Sequence, residues 1–193
     1  ISFATSGQHC GAVDSTGKLW MWGMNNQGGL GDSTVISASS LIQTAAGGTN
    51  WLSVACGTNA TNRFTLALKT DNTLWSWGPN NVGQLGSNTS LSRSSPVQVG
   101  TATNWKFIAA GAQNSYALKN DNTMWVWGRN AYGSLAISPI AFTSSPVQFN
   151  YGASDYITVC GGFDNTLFLK QSYLTPAPTP PPSPSPTPSP TPT

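Results

Sequence analysis

Few side chains in this sequence are able to do acid–base, nucleophilic or metal chemistry. It contains one histidine, His9, together with three cysteines and six aspartates, and glutamate is absent. General acid–base catalysis needs titratable groups positioned at a substrate, and no Cys-x-x-Cys or Cys/His spacing typical of a metal site occurs. His9 lies close to Gly7 and Gly11, where we expect a structural or surface role. The pattern therefore predicts no catalytic residue, no metal site and no cofactor.

The elements that position these residues belong to an internal repeat. The segment GKLWMWG at 17–23 recurs as NTLWSWG at 72–78 and as NTMWVWG at 122–128, at spacings of 55 and 50 residues. A fourth copy, ITVCGGFDNTLFLK at 157–170, has the upstream half of the unit and then stops. Self-similarity at this period is typical of propellers and solenoids. The sequence thus contains three and a half repeats.

Each repeat predicts four short strands, as the second one illustrates. A short apolar run at 54–56 predicts the inner strand and 64–68 the second, and the hairpin at Asp71-Asn72 uses residues that tolerate a positive φ. The third strand is 74–77, and the outermost is 96–99, with Pro96 at its start. The two Trp residues of each third strand face one side, so we expect them to pack between blades rather than to form a sugar-binding platform.

The second repeat carries the motifs V-A-C-G, L-A-L-K-T-D-N-T-L-W-S-W-G-P-N-N-V-G-Q-L-G and S-S-P-V-Q-V. This run resembles the regulator of chromosome condensation repeat, the blade unit of a family of β-propellers. The resemblance covers roughly residues 1–170 and departs from the family at Gly29, Ser134 and Ala136. It implies an all-β fold of such blades for residues 1–172. The nucleotide-exchange activity of some relatives depends on the surfaces of a full ring and is not carried over.

The number of repeats implies an incomplete or intermolecularly completed propeller. Family members close a ring of about seven blades, and a short arc leaves apolar faces and a strand edge unpaired. Leu167, Phe168 and Leu169 form a strand that no third strand of the same repeat follows. The arc closes as a small ring, or the chain is a fragment, or copies of the chain supply the missing surfaces head to tail. We expect the third solution.

Three cysteines leave two interpretations open. Cys56 and Cys160 each precede a glycine and are expected at the same repeat position, whereas Cys10 aligns with Thr65 and Ser115 on the second strand. In the first, they are small buried hydrophobic residues. In the second, two of them form a disulfide, and the third thiol is either free or pairs with a thiol of another chain.

Residues 173–193 form a Pro/Ser/Thr-rich tail, and its segment 175–193 has no large apolar side chains. Proline fixes φ and removes an amide donor, so the predicted conformation is polyproline II. The tail is a stiff stalk or an O-glycosylated rod, and it resembles the hydroxyproline-rich glycoproteins of cell walls. We expect it to be held in an ordered state by a neighbouring subunit or by sugar. The candidates for O-glycosylation or proline hydroxylation are Thr175, Pro176, Pro178, Thr179, Pro180, Pro181, Pro182, Ser183, Pro184, Ser185, Pro186, Thr187, Pro188, Ser189, Pro190, Thr191 and Pro192.

Composition and modification motifs point to a class and a location. Charged residues are 7% of the chain and the net charge is +2, which excludes an ordinary nucleic-acid binder. No apolar run approaches the roughly 20 residues of a membrane span. N-glycosylation sequons occur at Asn59 and Asn88. Together with the tail, they predict an extracellular location, either secreted, at the cell surface or in the cell wall.

We therefore expect a non-enzymatic structural subunit of an extracellular glycoprotein fibre. Its partners are copies of itself and covalent glycans, and it assembles through blade surfaces and the tail. The alternative is an extracellular propeller module on a glycosylated stalk that binds a protein or a carbohydrate through its loops.

Overall fold

The computed structural model describes residues 1–57, 63–138, 141–150, 155–162 and 166–170. This part of the chain forms fourteen strands in four antiparallel sheets, three of four strands and one of two. Each sheet is built from consecutive strands, which confirms the all-β architecture of propeller blades predicted from the repeats.

Three blades and a half-blade follow one another along the chain. Blade 1 consists of β1 (Ser2–Thr5), β2 (His9–Val13), β3 (Leu19–Gly23) and β4 (Ala38–Gln43). Blade 2 consists of β5 (Trp51–Cys56), β6 (Thr65–Lys69), β7 (Leu74–Gly78) and β8 (Arg93–Gln98). Blade 3 consists of β9 (Trp105–Ala110), β10 (Asn114–Lys119), β11 (Met124–Arg129) and β12 (Phe142–Gln148). The half-blade consists of β13 (Tyr156–Gly161) and β14 (Thr166–Lys170).

Neighbouring blades pack face to face. We call the face of a blade that meets the next blade its front, and the opposite face its back. The inner strand of each blade packs on the first two strands of the blade before it: β5 on β1 and β2, β9 on β5 and β6, and β13 on β9 and β10. Alternate residues of a strand point to opposite faces, so β6 presents Leu66 and Leu68 at the front and Ala67 at the back.

Apolar side chains fill each of the three junctions between neighbouring sheets. At the junction of blades 2 and 3, Leu66 and Leu68 of the front meet Ile108 and Trp127 of the back. The junctions on either side are filled in the same way. Full burial of one Leu or Trp side chain contributes roughly 2 kcal/mol or more, so these junctions are the hydrophobic core. Trp77 and Trp127 are completely buried there, which confirms the predicted packing between blades for blades 2 and 3. Trp20 and Trp22 of blade 1 are only half-buried.

The hairpin turn between the second and third strand is formed as predicted. Gly17, Asn72 and Asn122 all have φ between 59° and 79°, a region that glycine and asparagine adopt most readily. At one of these turns, the carbonyl of Asn72 accepts a hydrogen bond from the backbone N–H of Trp105 at 3.2 Å. The turn therefore also ties blade 2 to the start of blade 3.

Two details of register differ from the sequence prediction. Pro96 lies inside β8 rather than at its start, next to an irregularity in the pairing of β7 with β8, a place where a missing ladder donor is tolerated. Cys56 pairs with Thr65, whereas Cys160 pairs with Leu167. The prediction that both cysteines share one repeat position is therefore wrong. Cys160 is shifted by one residue relative to Cys56, and such a shift moves a side chain to the other face of the sheet.

Candidate functional site

A buried asparagine fixes each of the long loops between the third and fourth strand of a blade. In blade 2 the side-chain oxygen of Asn80 accepts the N–H of Leu85 at 2.9 Å, and its amide nitrogen donates to the carbonyl of Thr89 at 2.8 Å. Asn25 and Asn130 hold the backbone N–H of Leu30 and Leu135 at the same distance. The loops at this end of the arc, which we call the loop end, are therefore rigid supports for the residues that they carry.

A repeated hydrogen bond links these loops to the next blade. At the junction of blades 2 and 3, the carbonyl of Gln84 accepts the hydroxyl of Ser115 at 2.6 Å and the indole N–H of Trp127 at 3.0 Å. The hydroxyls of Thr65 and Thr166 donate to the corresponding carbonyls of Gly29 and Ser134 at 2.8 and 2.7 Å. We call this arrangement the hydroxyl lock, and it sets the distance between successive loops.

One arginine joins the loops of blades 1 and 2. Arg63 is buried at the loop end, and its guanidinium donates to the side-chain oxygens of Gln8 and, at 2.7 Å, Asn26. These three residues come from three different loops. Hydrogen bonds to a charged donor are stronger than neutral ones, so Arg63 holds the loop end together at this junction.

Blade 3 presents an arginine and a tyrosine together at the loop end. The guanidinium of Arg129 donates to the side-chain oxygen of Gln113 at 2.7 Å and lies 5.5 Å from the centroid of the Tyr132 ring. Tyr132 is 75% exposed. Arg129 itself is half-buried. Tyrosine and arginine are among the residue types most enriched among the energetically dominant residues of protein interfaces. This pair is the part of the loop end best suited to binding another protein.

The histidine has a structural position. His9 is fully buried at the junction of blades 1 and 2, where its ring is hydrogen-bonded to the hydroxyls of Ser6 at 2.8 Å and Thr65 at 3.0 Å. Burial, assisted by the charge of Arg63, lowers the pKa of His9 from 6.5 to about 4. The ring is therefore neutral near pH 7 and connects two blades.

Lysines and tryptophans stack at the opposite end, which we call the turn end. The ammonium of Lys69 lies 4.8 Å and 4.3 Å from the ring centroids of Trp51 and Trp75, and Lys119 repeats the arrangement in blade 3. Hydrogen bonds from the Thr73 side chain and backbone hold the pKa of Asp71 below its ordinary value. Asp71 therefore stabilises its turn, which is the structural role that the sequence predicts for it.

The front of the half-blade differs from the other fronts. Leu167 and Leu169 of β14 are 74% and 56% exposed, although the residues at the same register in blade 2, Leu66 and Leu68, are completely buried. We call Cys160, Leu167 and Leu169 the open flank.

All three cysteines are free thiols in the structure. Cys10 is half-buried, Cys56 is buried and Cys160 is exposed on the open flank. Burial raises the pKa of the Cys56 thiol well above its ordinary value, which makes it unreactive. Cys56 is thus the small buried hydrophobic residue that one of the two interpretations expects, and the structure brings no two thiols together as a disulfide.

Of the two sequons, only one lies in the described part of the chain. Asn88 is exposed in the loop after β7, where its backbone has φ of 58° and its N–H donates to the carbonyl of Ser144 at 2.8 Å. Its glycosylation stays a prediction. Asn59 and every candidate between 173 and 193, together with the expected order of the tail, lie outside the described residues.

No group of three His, Cys, Asp or Glu side chains among the described residues is arranged to hold a metal ion. Nor does this part of the chain form a helix of the length and apolarity that crossing a membrane requires.

Arg129 and Tyr132 were not singled out at the sequence level, because neither belongs to a titratable or metal-binding motif. Arg129 ends β11 and Tyr132 lies in the loop that follows, both within the segment GRNAYGSLA, whose counterparts are GMNNQGGLG and GPNNVGQLG. The available signal was an arginine and an aromatic residue at positions where the other repeats have uncharged, non-aromatic residues. Loop positions are where binding residues concentrate.

Comparisons with known proteins match the repeats. Two sequence-family models match the chain, and both are described as the regulator of chromosome condensation (RCC1) repeat. One matches residues 71–118, and the other matches residues 51–84 and 105–134. The chain is 32% identical over 105 residues to mouse E3 ubiquitin-protein ligase HERC2, which is 53% of this chain and 2% of that protein. It is 39% identical over 80 residues to the zebrafish protein RCC2 homolog, covering 40% of this chain and 15% of the relative. It therefore matches only a small part of each.

Solved structures share the fold over most of the chain. Human WBSCR16 superposes with a TM-score of 0.75 at 24% identity, covering 90% of this chain and 45% of that protein. Prp20p from Saccharomyces cerevisiae superposes with a TM-score of 0.69 at 21% identity, covering 89% and 44%. These similarities establish the fold and not an activity.

The relatives contradict the predicted extracellular location. The Arabidopsis thaliana protein RUG3, 32% identical over 112 residues and matching 51% of this chain and 23% of its own length, is mitochondrial. Prp20p is a protein that binds histones. The sequons were weak evidence for the prediction, because the Asn-x-Ser/Thr pattern arises by chance in a sequence rich in Asn, Thr and Ser. Such motifs report on location only when the chain meets the enzymes that modify them.

Proposed function

Because the chain carries repeats of the RCC1 type, we propose that it is a non-enzymatic protein-binding module whose loop end contacts a partner. The observation that carries this proposal is the pair formed by Arg129, at the end of β11, and Tyr132 on the loop that Asn130 fixes. Immobilising such side chains before binding reduces the entropy that association costs.

A binding role agrees with what the described residues offer chemically. The single histidine is buried and has a pKa of about 4, so it is a poor general base near neutral pH. Among the relatives, HERC2 is named a ligase, but its match covers 2% of that protein. Prp20p is described by its binding to Gsp1p and histones. Binding is therefore the role that repeats of this type support here.

The experiment compares single variants at the two ends of the arc. The chain is immobilised and incubated with a cell extract. The variants Tyr132→Ala and Arg129→Ala should fail to retain proteins that the unchanged chain retains. Each recovered protein is then purified and titrated, and affinity should fall by about tenfold or more for a dominant interface residue. Lys106→Ala at the turn end is the control, because Lys106 is exposed and contacts the turn residue Asn122. Equal losses for all three variants, or no loss for any, would contradict the proposal.

A second candidate is a structural subunit that assembles through blade faces, and the exposed leucines of the open flank favour it. Electron microscopy of the purified chain tests this candidate. Regular filaments or closed rings of several chains would support it, and single arcs at high concentration would contradict it.

A further inference from the structure

The open flank has the chemistry of a blade junction without the next blade. Leu167 and Leu169 point to the same face as Cys160, and cross-strand pairing places Cys160 directly opposite Leu167. In blade 2 the corresponding residues are Leu66, Leu68 and Ala55, all packed in or against the apolar cluster shared with blade 3. The open flank is therefore apolar by the same pattern that fills the other fronts.

The back of blade 1 is open in a complementary way. Phe3 stands at the register position of Val54 and Ile108 and is 80% exposed, whereas those two residues are 6% and 7% exposed. Trp22 occupies the position of Trp77 and Trp127 but is only half-buried. Thus the arc ends in one unpartnered front and one unpartnered back among the described residues.

The half-blade has both of the strands on which the inner strand of a further blade would pack. At all three junctions, the inner strand of a blade packs on the first two strands of the preceding blade. The strands β13 and β14 are those first two strands, and β1 is the inner strand of blade 1. The third and fourth strands of a blade lie away from this contact.

We infer that the open flank binds the back of blade 1 of a second copy of this chain, head to tail, in the register of the internal junctions. This inference rests on the second candidate function and names its contact. The internal junction of blades 1 and 2 fixes the register: Cys56 donates its S–H to the carbonyl of Ala4, with sulfur and oxygen 3.9 Å apart. Cys160 occupies the position of Ala4, and Thr5 occupies that of Cys56. The Cys160 side chain of one copy therefore faces Thr5 of the next.

Thiol crosslinking in the full chain tests this register. The variant Thr5→Cys, combined with Cys10→Ser to remove the neighbouring thiol, is oxidised with diamide and digested. The expected product is a peptide containing position 5 joined by a disulfide to one containing Cys160, together with a covalent dimer on a non-reducing gel. The matched control is Ser2→Cys with Cys10→Ser, because residue 2 points to the front of β1 and should not reach Cys160. A further Cys160→Ser change must abolish the product.

Sedimentation separates the possible outcomes. The chain should self-associate with rising concentration, and Leu167→Asp with Leu169→Asp should weaken this by about tenfold or more without altering unfolding, since both residues are exposed. A chain that stays monomeric overturns both this inference and the second candidate function, and it points to another occupant such as residues 171–193. Association without the 5–160 product overturns the inference alone. Thr5, Leu167 and Leu169 are exposed and Cys10 is half-buried, so these substitutions leave the buried core unchanged. Misfolding therefore does not explain a negative result.

Discussion

Strands β6 and β14 have nearly the same sequence pattern but different surroundings. Thr65, Leu66, Leu68 and Lys69 of β6 correspond by register to Thr166, Leu167, Leu169 and Lys170 of β14. At the back the two strands behave alike, since both threonine hydroxyls donate to a loop carbonyl of the preceding blade. At the front they differ, because a blade covers β6 and none covers β14 in the described chain. The pattern of a strand therefore predicts which face is apolar, and the neighbouring blade decides whether that face is buried.

The largest expected effect separates the two fronts. Leu66→Ala removes a fully buried side chain and should lower the free energy of unfolding by about 2–5 kcal/mol. Leu167→Ala at the same register should change it by less than about 0.5 kcal/mol at low concentration. Denaturant unfolding of the two variants measures both values. Similar losses at the two positions would mean that the open flank is covered within one chain.

The next effect concerns the junction of blades 1 and 2 and depends on pH. The pKa of His9 is lowered in the folded protein to about 4, from 6.5 in the unfolded chain. Between these values the unfolded state binds the extra proton, so the contribution of His9 to stability falls as the pH falls from 6.5 to 4 and is constant above 6.5. The loss contributed by His9 is about 3 kcal/mol at most.

His9→Asn tests this interpretation, because Asn114 has the same register position in blade 3. In the unchanged chain the free energy of unfolding should fall as the pH is lowered across this range. In the variant most of this pH dependence should be lost. An unchanged slope in the variant would assign the pH dependence to other groups.

A smaller effect compares the backs of blade 3 and the half-blade. Ser115→Ala and Thr166→Ala each remove one hydroxyl lock, and each should cost about 1 kcal/mol of unfolding free energy. The two losses should be similar, because both backs are packed. Cys10→Ala, at the same register in blade 1, is the control and should have little effect. A negligible loss for Thr166→Ala alone would indicate that the half-blade is loosely attached.

The smallest effect concerns the hairpin turn of blade 2. Asn72 has φ of 59°, so Asn72→Ala should cost about 1 kcal/mol and Asn72→Gly much less. Thermal unfolding of the pair measures the difference. Equal costs would show that the side chain of Asn72, rather than its backbone conformation, stabilises the turn.

Much of the fold was predictable because the repeat fixes it locally. The alternation in β6 and β7, the turn residue at 72 and the tryptophans of β7 and β11 all depend on neighbouring residues, and all appear as predicted. The position of Cys160 was not predictable in this way. The motifs V-A-C-G and V-C-G-G align equally well by their first or second glycine, and only the pairing with Leu167 decides between them.

The candidate binding residues were less predictable for a related reason. Arg63, Gln8 and Asn26 come from three loops of two blades, and their contact depends on how the blades pack. Arg129 and Tyr132 are close in sequence, but the exposure of Tyr132 depends on the loop shape that Asn130 imposes. Location was predicted wrongly because it is a property of the cell and not of the folded chain.

Hydrogen exchange of the amides in β13 and β14 tests the central claim most directly, because it reports whether a neighbouring molecule covers the open flank. At low protein concentration these amides should exchange much faster than those of β5 and β6, and at high concentration their protection should rise toward that of the internal blades. Protection equal to that of β5 and β6 at the lowest concentration would contradict the account, because the flank would then be covered within a single chain.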